Sequence, residues 1–139
     1  MAGSPTRYLL DTNICIYLIK HQPPQVRARF AECFVGDVII SAITLAELEF
    51  GVACSGDAKV ENQRLLDSLL EDLVVAPFEA LAAQAYGPLR AANPERNKNA
   101  LDKLIASHAI SLQVTLVTNN EADFQGISGL LIENWVKSH

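Results

Sequence analysis

Short apolar runs alternate with longer amphipathic segments along this chain of 139 residues, and this alternation restricts the fold more than any other feature. The apolar runs predict β-strands over residues 7–10, 38–41, 73–76, 114–118 and 130–133. The segments between them predict helices over residues 14–19, 26–34, 44–54, 58–71, 80–91 and 100–112, the first of which should stop near Pro23. Strands that alternate with helices favour an α/β fold with a central, mainly parallel β-sheet flanked by helices.

Size and composition indicate a single domain that spans residues 1–139. The chain is 50% hydrophobic, which is enough for a sizeable core, and this length is common for one domain. The net charge of -5 gives no strong attraction for nucleic acid, so such a contact would depend on a local basic patch or on metal ions. The basic residues available for a patch are Lys20, His21, Arg27, Arg29, Arg90, Arg96, Lys98 and Lys103.

The cysteines and the absence of targeting segments predict a cytoplasmic protein. Cys15, Cys33 and Cys54 are far apart and have apolar neighbours, which predicts buried thiols in a reducing compartment rather than a zinc site. The first residues lack the charged and apolar regions of a secretion signal. No apolar run approaches the roughly 18 residues that a membrane span needs.

Acidic residues follow three of the predicted strands, namely Asp11, Glu47 and Asp123. The carboxyl ends of parallel strands meet at one edge of a sheet, where α/β proteins bind ligands. Carboxylates gathered at such an edge repel one another unless a cation holds them. Together with Asp102 they predict a site for a hard divalent metal and metal-assisted chemistry.

Asp102 is the strongest single candidate, because it falls on the predicted apolar face of a helix. The residues expected on that face are Leu101, Ile105, His108, Ala109 and Leu112. The polar residues expected on the opposite face are Lys103, Ser107 and Ser111. A buried carboxylate is costly unless it is paired or holds a metal. The structural alternative is an acid in the first helical turn that is stabilised by the helix dipole.

The other acids also have structural alternatives. Asp11, with Thr12 and Asn13, stands at a strand-to-helix junction, where all three residue types favour helix capping. Thr44 and Glu47 have the spacing of a capping box, a role that is compatible with metal binding. Glu49 is a weaker candidate.

Asp123 belongs to a polar segment in which the neighbouring side chains could orient ligands or waters; the alternative is a solvated turn. These neighbours are Thr118, Asn119 and Asn120. His108 is interpreted as a core histidine rather than a general base. The sequence has no nucleophile motif, P-loop or dinucleotide fingerprint, so acyl transfer and nucleotide binding have no support.

Residues 9–13, 41–48, 101–109 and 116–124, followed by Gly129–Leu130 and 133–135, resemble in order and spacing the PIN-domain family. Within that family the chain is similar to the VapC-type toxins of bacterial toxin–antitoxin pairs. The resemblance implies a single PIN-like domain and an endoribonuclease dependent on Mg²⁺ or Mn²⁺, which cleaves RNA by water attack. The implied catalytic and metal residues are Asp11, Glu47, Asp102 and Asp123. Many relatives have an Asp where this chain has Asn119 and Asn120.

The resemblance also implies partners. They are a VapB-like antitoxin, an RNA substrate for which tRNA is one candidate, and a second copy of the chain. The antitoxin is expected to lay a helix or tail in an apolar groove walled by helices 14–19 and 44–54, with a basic residue that reaches the acidic site.

Asn99 lies just before Asp102 in the sequence and is expected to be either a further polar contact of the acidic site or a loop cap.

Three alternatives stay open at this stage. A haloacid-dehalogenase-type phosphatase also has an Asp after its first strand, but it needs a second acid where this chain has Asn13. A receiver-like module needs paired acids and gives Asp102 no role. A catalytically degenerate PIN module would bind a partner only, and it should have lost a core acid.

Overall fold

The computed structural model describes residues 7–94 and 100–137. Five strands occur in this part of the chain: β1 (Tyr8–Leu10), β2 (Val38–Ser41), β3 (Val74–Ala76), β4 (Thr115–Val117) and β5 (Ile132–Glu133). The helices are α1 (Thr12–Lys20), α2 (Pro24–Ala31), α3 (Ala42–Ala53), α4 (Lys59–Leu70), α5 (Ala80–Ala92), α6 (Ala100–Leu112) and α7 (Glu121–Phe124), with a 3₁₀ turn at Gly56–Ala58. The candidates Arg96, Lys98 and Asn99 lie outside the described residues.

The strands form one sheet in the order β3-β2-β1-β4-β5, and every pairing is parallel. Leu9 of the central strand pairs with Ile39 on one side and with Leu116 on the other. The prediction of an α/β fold with a mainly parallel sheet is therefore confirmed. Since all strands run the same way, their ends lie along one side, which we call the carboxyl edge.

Helices cover both faces of the sheet, which explains why Leu9 and Leu10, which point to opposite faces of β1, are both fully buried. Successive strand residues enter opposite cores: Leu10 and Ile40 lie in one cluster, and Leu9 and Ile39 lie in the other. Helical residues of the first cluster include Ile14, Leu18, Leu66 and Leu69. Those of the second include Leu89, Ile105, Ala109 and Phe124.

The boundaries near the two prolines differ from the prediction. The first helix ends at Lys20, because His21 takes up a left-handed conformation with φ 59°. Pro24 occupies the first position of α2, where a missing N–H costs nothing, so that helix starts earlier than predicted. It also ends earlier, at Ala31, and leaves Phe34 79% exposed.

All three cysteines are free thiols, but the prediction that they are buried is only partly correct. Cys15 is buried within α1, and Cys33 is half-buried. Cys54 is exposed because it follows the last turn of α3 and points away from the core. In the described part of the chain, no helix combines the length and apolarity needed to cross a membrane.

Candidate active site

Asp11 lies at the carboxyl edge, between β1 and α1, and is only 5% exposed. Its Oδ1 accepts a hydrogen bond from the Ile14 backbone N–H at 2.9 Å, so it caps α1. The Thr118 side chain also hydrogen-bonds this carboxylate. Burial nevertheless raises the pKa of Asp11, and the charge of Glu47 raises it further. Helix capping and proximity to a second carboxylate therefore coexist at this residue.

Glu47 is oriented by α1 rather than by the start of its own helix. The predicted capping box is wrong, because α3 begins at Ala42 and its N-cap is Ser41, whose Oγ accepts a backbone N–H at 3.0 Å. Thr44 thus lies inside the first turn, where its hydroxyl is buried without a hydrogen-bond partner. The carboxylate of Glu47 instead accepts a hydrogen bond from Thr12 Oγ1 at 2.6 Å.

Asp102 lies in the first turn of α6 and is half-buried. Burial is the largest cause that raises the pKa of Asp102 to about 6, and the charges of Asp11, Asp123 and Glu47 raise it as well. The charge of Lys103 acts in the opposite direction. Four carboxylates therefore influence one another at the carboxyl edge, and we call Asp11, Glu47, Asp102 and Asp123 the acidic cluster.

The predicted faces of α6 are only partly correct. The core positions that were predicted correctly are Ile105, His108 and Ala109. Leu101 and Leu112 are instead 46% and 45% exposed, whereas Lys103 and Ser107 are buried. α6 packs against α5, α3, β4 and α7, so more than one side of this helix is covered. The buried Ser107 hydroxyl has a hydrogen-bond partner, because its Oγ donates to the Lys103 carbonyl oxygen at 2.7 Å.

Asp123 is the exposed member of the acidic cluster and belongs to the short helix α7. Its neighbour Phe124 is 1% exposed and fixes this helix to the core. The side-chain amide of Asn120 donates to Asp123 Oδ2. The Asn120 backbone N–H donates to Thr118 Oγ1 at 2.9 Å. Asp123 is thus held by a turn that also bonds Asp11 through Thr118.

The remaining supporting candidates are arranged differently. Asn119 directs its Nδ2 to Tyr17 Oη at 3.2 Å, and its Oδ1 accepts from Asn134 Nδ2 at 3.3 Å. Asn13 is exposed and contributes a backbone N–H to Asp11. Reasoning from the sequence gave Asn134 no role, because only the pairing of β5 with β4 brings it to this turn. The predicted supporting residues whose side chains do contact acids are Thr12, Thr118 and Asn120.

His108 is a core residue, as predicted. It is 1% exposed, and its Nδ1 lies 2.8 Å from Ser41 Oγ. The ring packs edge-to-face on Phe78 with centroids 5.3 Å apart. Burial lowers the pKa of His108, which favours the neutral ring.

Two members of the expected basic patch are not surface charges available to a ligand. Arg29 donates to Tyr8 Oη at 2.9 Å and to Glu133 Oε1 at 3.2 Å. Lys103 is only 4% exposed. Lys20 is exposed and lines a groove that also contains Glu47.

The donor set at the carboxyl edge fits a hard divalent cation. Its oxygen ligands are carboxylates with nearby hydroxyl and amide groups, which Mg²⁺ and Mn²⁺ prefer. Burial and the charges of the other three acids raise the pKa of Asp102, and a bound cation would offset both effects by favouring the ionised carboxylate. Within residues 7–94 and 100–137, no group of three or more His, Cys, Asp or Glu side chains is placed to hold a metal ion together. Three protein ligands are not required for Mg²⁺, since it commonly uses one or two carboxylates and keeps several waters.

Comparison with known proteins identifies relatives along almost the whole chain. The chain is 42% identical over 136 residues to Ribonuclease VapC2 of Rickettsia felis, which covers 94% of this chain and 98% of that protein. It is 37% identical over 131 residues to the tRNA(fMet)-specific endonuclease VapC of Shigella flexneri, which covers 93% and 98% respectively.

A solved structure supports the same relationship. The toxin chain in VapBC2 of Rickettsia felis, bound to a DNA fragment from the promoter, superposes with a TM-score of 0.80. The two chains share 39% identity, and the match covers 94% of this chain and 99% of that one. The sequence model of the PIN domain family matches residues 8–130 of this chain. This decides against the haloacid-dehalogenase and receiver alternatives: the chain belongs to the PIN domain family, in the branch that contains the VapC ribonucleases.

Proposed function

We propose that the chain is the toxin of a type II toxin–antitoxin pair and an endoribonuclease that depends on Mg²⁺ or Mn²⁺. The observation that carries the proposal is the position of Asp102 in the acidic cluster, where burial, and then the charges of the three other acids, raise its pKa to about 6. Acidic side chains with strongly shifted pKa values, gathered at the ligand-binding edge of a parallel sheet, are typical of active sites. The names of the VapC relatives support RNA as the substrate.

In this mechanism the acidic cluster would hold the cation, and the neighbouring side chains orient the acids. A divalent cation bound there would lower the pKa of a water and offset charge on the phosphate. The Thr12 hydroxyl keeps Glu47 directed into the site, and Asn120 does the same for Asp123. A water oxygen attacks phosphorus, the bond to the 3′ oxygen breaks, and that oxygen takes up a proton. The products are a 5′-phosphate and a 3′-hydroxyl.

The first substrate to test is initiator tRNA. The Shigella flexneri relative is named a tRNA(fMet)-specific endonuclease, and it is 37% identical to this chain. We place this activity in the bacterial cytoplasm and in a single PIN-like domain over residues 1–139.

The test is cleavage of total RNA and of initiator tRNA by the purified full chain, with Mg²⁺ or Mn²⁺ and with EDTA. Two variants distinguish an effect specific to the acidic cluster from the effect of removing any negative charge. Glu47→Gln removes a charge from the acidic cluster, and Glu49→Gln removes the same charge from an exposed position two residues away on α3. We expect discrete fragments that disappear with EDTA and with Glu47→Gln and that persist with Glu49→Gln.

Other results would overturn the proposal. If both glutamine variants cut equally, the acidic cluster is not the catalytic centre. If the wild-type chain binds Mn²⁺ but cuts neither RNA, the chain is the catalytically degenerate PIN module considered above.

An apolar groove beside the acidic cluster supports the antitoxin as partner. It has a volume of about 270 Å³ and lies between α1, α3 and α4. Its lining residues are Thr12, Ile16, Ile19, Lys20, Glu47, Leu48, Gly51, Val52, Asn62 and Leu66. The predicted walls were α1 and α3, and α4 completes them. We propose that a helix or tail of a VapB-like antitoxin lies here, with a basic residue that reaches Glu47.

Gly51 offers a direct test of the groove. Gly51 lines the groove, and a Cβ at this position would meet no atom within 4 Å, so a side chain introduced by Gly51→Leu starts in open space and adds bulk to the groove. Leucine also raises helix propensity by about 1 kcal/mol. We expect this variant to keep RNA cleavage and to lose inhibition by the antitoxin encoded beside it. The matched control is Ala53→Leu, on an exposed position of the same helix outside the groove. Equal inhibition of both variants would place the antitoxin elsewhere.

Self-association is a separate part of the proposal. We expect a homodimer of the toxin that persists in a hetero-oligomer with the antitoxin. Light scattering of the free chain and of the complex measures both states, and a monomeric free chain would contradict the dimer.

A further inference from the structure

Asn134 is a buried polar residue that the proposed chemistry does not use. It follows β5 directly and is 9% exposed. Its Nδ2 donates to Glu121 Oε2 at 2.9 Å and to Asn119 Oδ1 at 3.3 Å. Its Oδ1 accepts the Val136 backbone N–H at 2.9 Å. The Asn134 side chain therefore bonds through both its nitrogen and its oxygen, and the two residues that accept from its nitrogen belong to a single turn of the chain.

That turn, residues 118–121, is held on several sides. The Thr118 backbone N–H donates to the Glu133 carbonyl oxygen at 3.0 Å, which aligns the turn with the residue before Asn134. Lys137 Nζ lies 2.7 Å from Glu121 Oε2, the oxygen that also accepts from Asn134. The C-terminal segment therefore closes over the turn at Glu121.

The same turn carries contacts to two members of the acidic cluster. Thr118 hydrogen-bonds the Asp11 carboxylate through its side chain. Asn120 donates to Asp123, and its backbone N–H donates to Thr118 Oγ1 at 2.9 Å. A displacement of this turn would move a hydrogen-bond donor of Asp11 and the support of Asp123 together.

The position of Asn134 itself is fixed by the next residue. Trp135 is 4% exposed and packs edge-to-face on Tyr8, with ring centroids 5.4 Å apart. Its Nε1 donates to Glu133 Oε1 at 2.8 Å, and the Arg29 guanidinium lies 5.2 Å from its ring centroid. Aromatic packing and a cation–π contact of this kind hold the backbone at Asn134 to the core.

We propose that Asn134 is a positioning residue for the acidic cluster, which it supports by holding Asn119 and Glu121. The inference rests on the proposed metal-dependent function, because it assigns the cluster a cation. Partners beyond the direct ligands orient metal-binding side chains, and their loss typically weakens metal affinity by about 10–100-fold. Asn134 acts through one turn, so the lower end of this range is expected.

The informative variants alter donors and acceptors while preserving shape. Asn134→Asp removes the donor and puts a carboxylate against Glu121. Adding Glu121→Gln supplies a donor on the opposite side and restores the pair. The control is Gln25→Ala, which removes a 2.7 Å bond to the Val136 carbonyl oxygen in the same C-terminal segment but leaves the turn untouched. Asn134→Ala answers the same question if the aspartate variant does not fold.

The first readout is the affinity of each purified full chain for Mn²⁺ alone, measured by titration calorimetry beside its Tm. We expect Asn134→Asp to weaken Mn²⁺ binding about tenfold, the double variant to recover most of it, and Gln25→Ala to change nothing. A lowered Tm with unchanged Mn²⁺ affinity would overturn the proposal, and so would a double variant no better than Asn134→Asp.

RNA cleavage by the same proteins separates this inference from the proposed function. We expect kcat to follow Mn²⁺ affinity across the variants while KM for RNA stays constant. If the wild type binds Mn²⁺ and cuts no RNA, the proposed function fails, and the Mn²⁺ affinities still decide the role of Asn134.

Discussion

Two buried aspartates border the same sheet at opposite ends of its strands. Asp37 precedes β2, and Asp11 follows β1; each is 5% exposed. Each accepts a short hydrogen bond from a backbone N–H three residues away, Asp37 from Phe34 at 3.0 Å and Asp11 from Ile14 at 2.9 Å. By burial and by this bond they are nearly equivalent, although Asp11 is also bonded by Asn13 and Thr118.

Their neighbours separate them. The charge of Asp11 raises the pKa of Asp102, and the pKa of Asp11 is in turn raised by burial and by the charge of Glu47. Asp37 instead closes the loop before its strand. A side-chain hydrogen bond to a nearby backbone N–H therefore says little about function, because both residues have one. Crowding of like charges is the more specific signal, since it costs stability unless a ligand relieves it.

The largest expected effect is a difference in activity between the same substitution at these two positions. Asp11→Asn should reduce RNA cleavage at least about 100-fold, the scale of removing one electrostatic group from an active site. Asp37→Asn should leave cleavage within about threefold of wild type and lower stability by about 1 kcal/mol, since one hydrogen bond loses its charge. Single-turnover cleavage and urea melts measure the two effects. Similar losses of activity would break the comparison.

The sheet and its edge were predictable because they depend on local pattern and one topological rule. Strands such as β2 are buried throughout, and a parallel sheet aligns their carboxyl ends. This places Asp11 and Asp123 near each other although 112 positions separate them in the chain. Burial on both faces explains why the strands were found even where they are only two or three residues long.

The errors and omissions arose where tertiary packing overrides local pattern. The capping box at Thr44 was wrong because Ser41, the last residue of β2, already caps the helix. The burial of Lys103 was missed because several elements pack around α6, and no helical period encodes that packing. Asn134 was missed because its partners become neighbours only when β5 pairs with β4.

Metal-induced stabilisation should follow the same division between the two aspartates. A ligand that binds only the folded state at 100 times its Kd stabilises it by about 2.7 kcal/mol. Mn²⁺ at that concentration should raise the Tm of the wild type and of Asp37→Asn by several degrees. It should raise the Tm of Asp11→Asn much less, because one ligand is gone. Scanning calorimetry with EDTA as the reference checks this, and equal shifts in all three proteins would argue against a cation at the carboxyl edge.

Without metal, the acidic cluster should be a source of instability that depends on pH. The pKa of Asp102 rises from 3.8 to about 6 on folding, so the folded state binds this proton more tightly than the unfolded state. The stability that this tighter proton binding gives the folded state is fully present below pH 3.8 and is lost as the pH rises to about 6. In EDTA at pH 8, Asp102→Asn should therefore be more stable than wild type, by about 1 kcal/mol after solvent screening.

The check is a series of urea melts between pH 4 and pH 8, in which the advantage of Asp102→Asn should vanish near pH 4. Asp67→Asn, at an exposed position of α4, is the control that should show no such trend. A variant less stable than wild type at pH 8 would mean that Asp102 is stabilised rather than strained by its surroundings.

The smallest expected effect sharpens the comparison by altering an orientation instead of a charge. Thr12→Val keeps the size of the side chain but removes the 2.6 Å hydrogen bond to Glu47 Oε1. Glu47 then keeps its charge and loses its orientation, so cleavage should fall about tenfold, as when a partner behind a metal ligand is removed. Thr12→Ser retains the hydroxyl and should stay near wild type. If Thr12→Val cut RNA normally, charge at the carboxyl edge would suffice; a loss confined to the valine variant would show that the carboxylates must also be aimed.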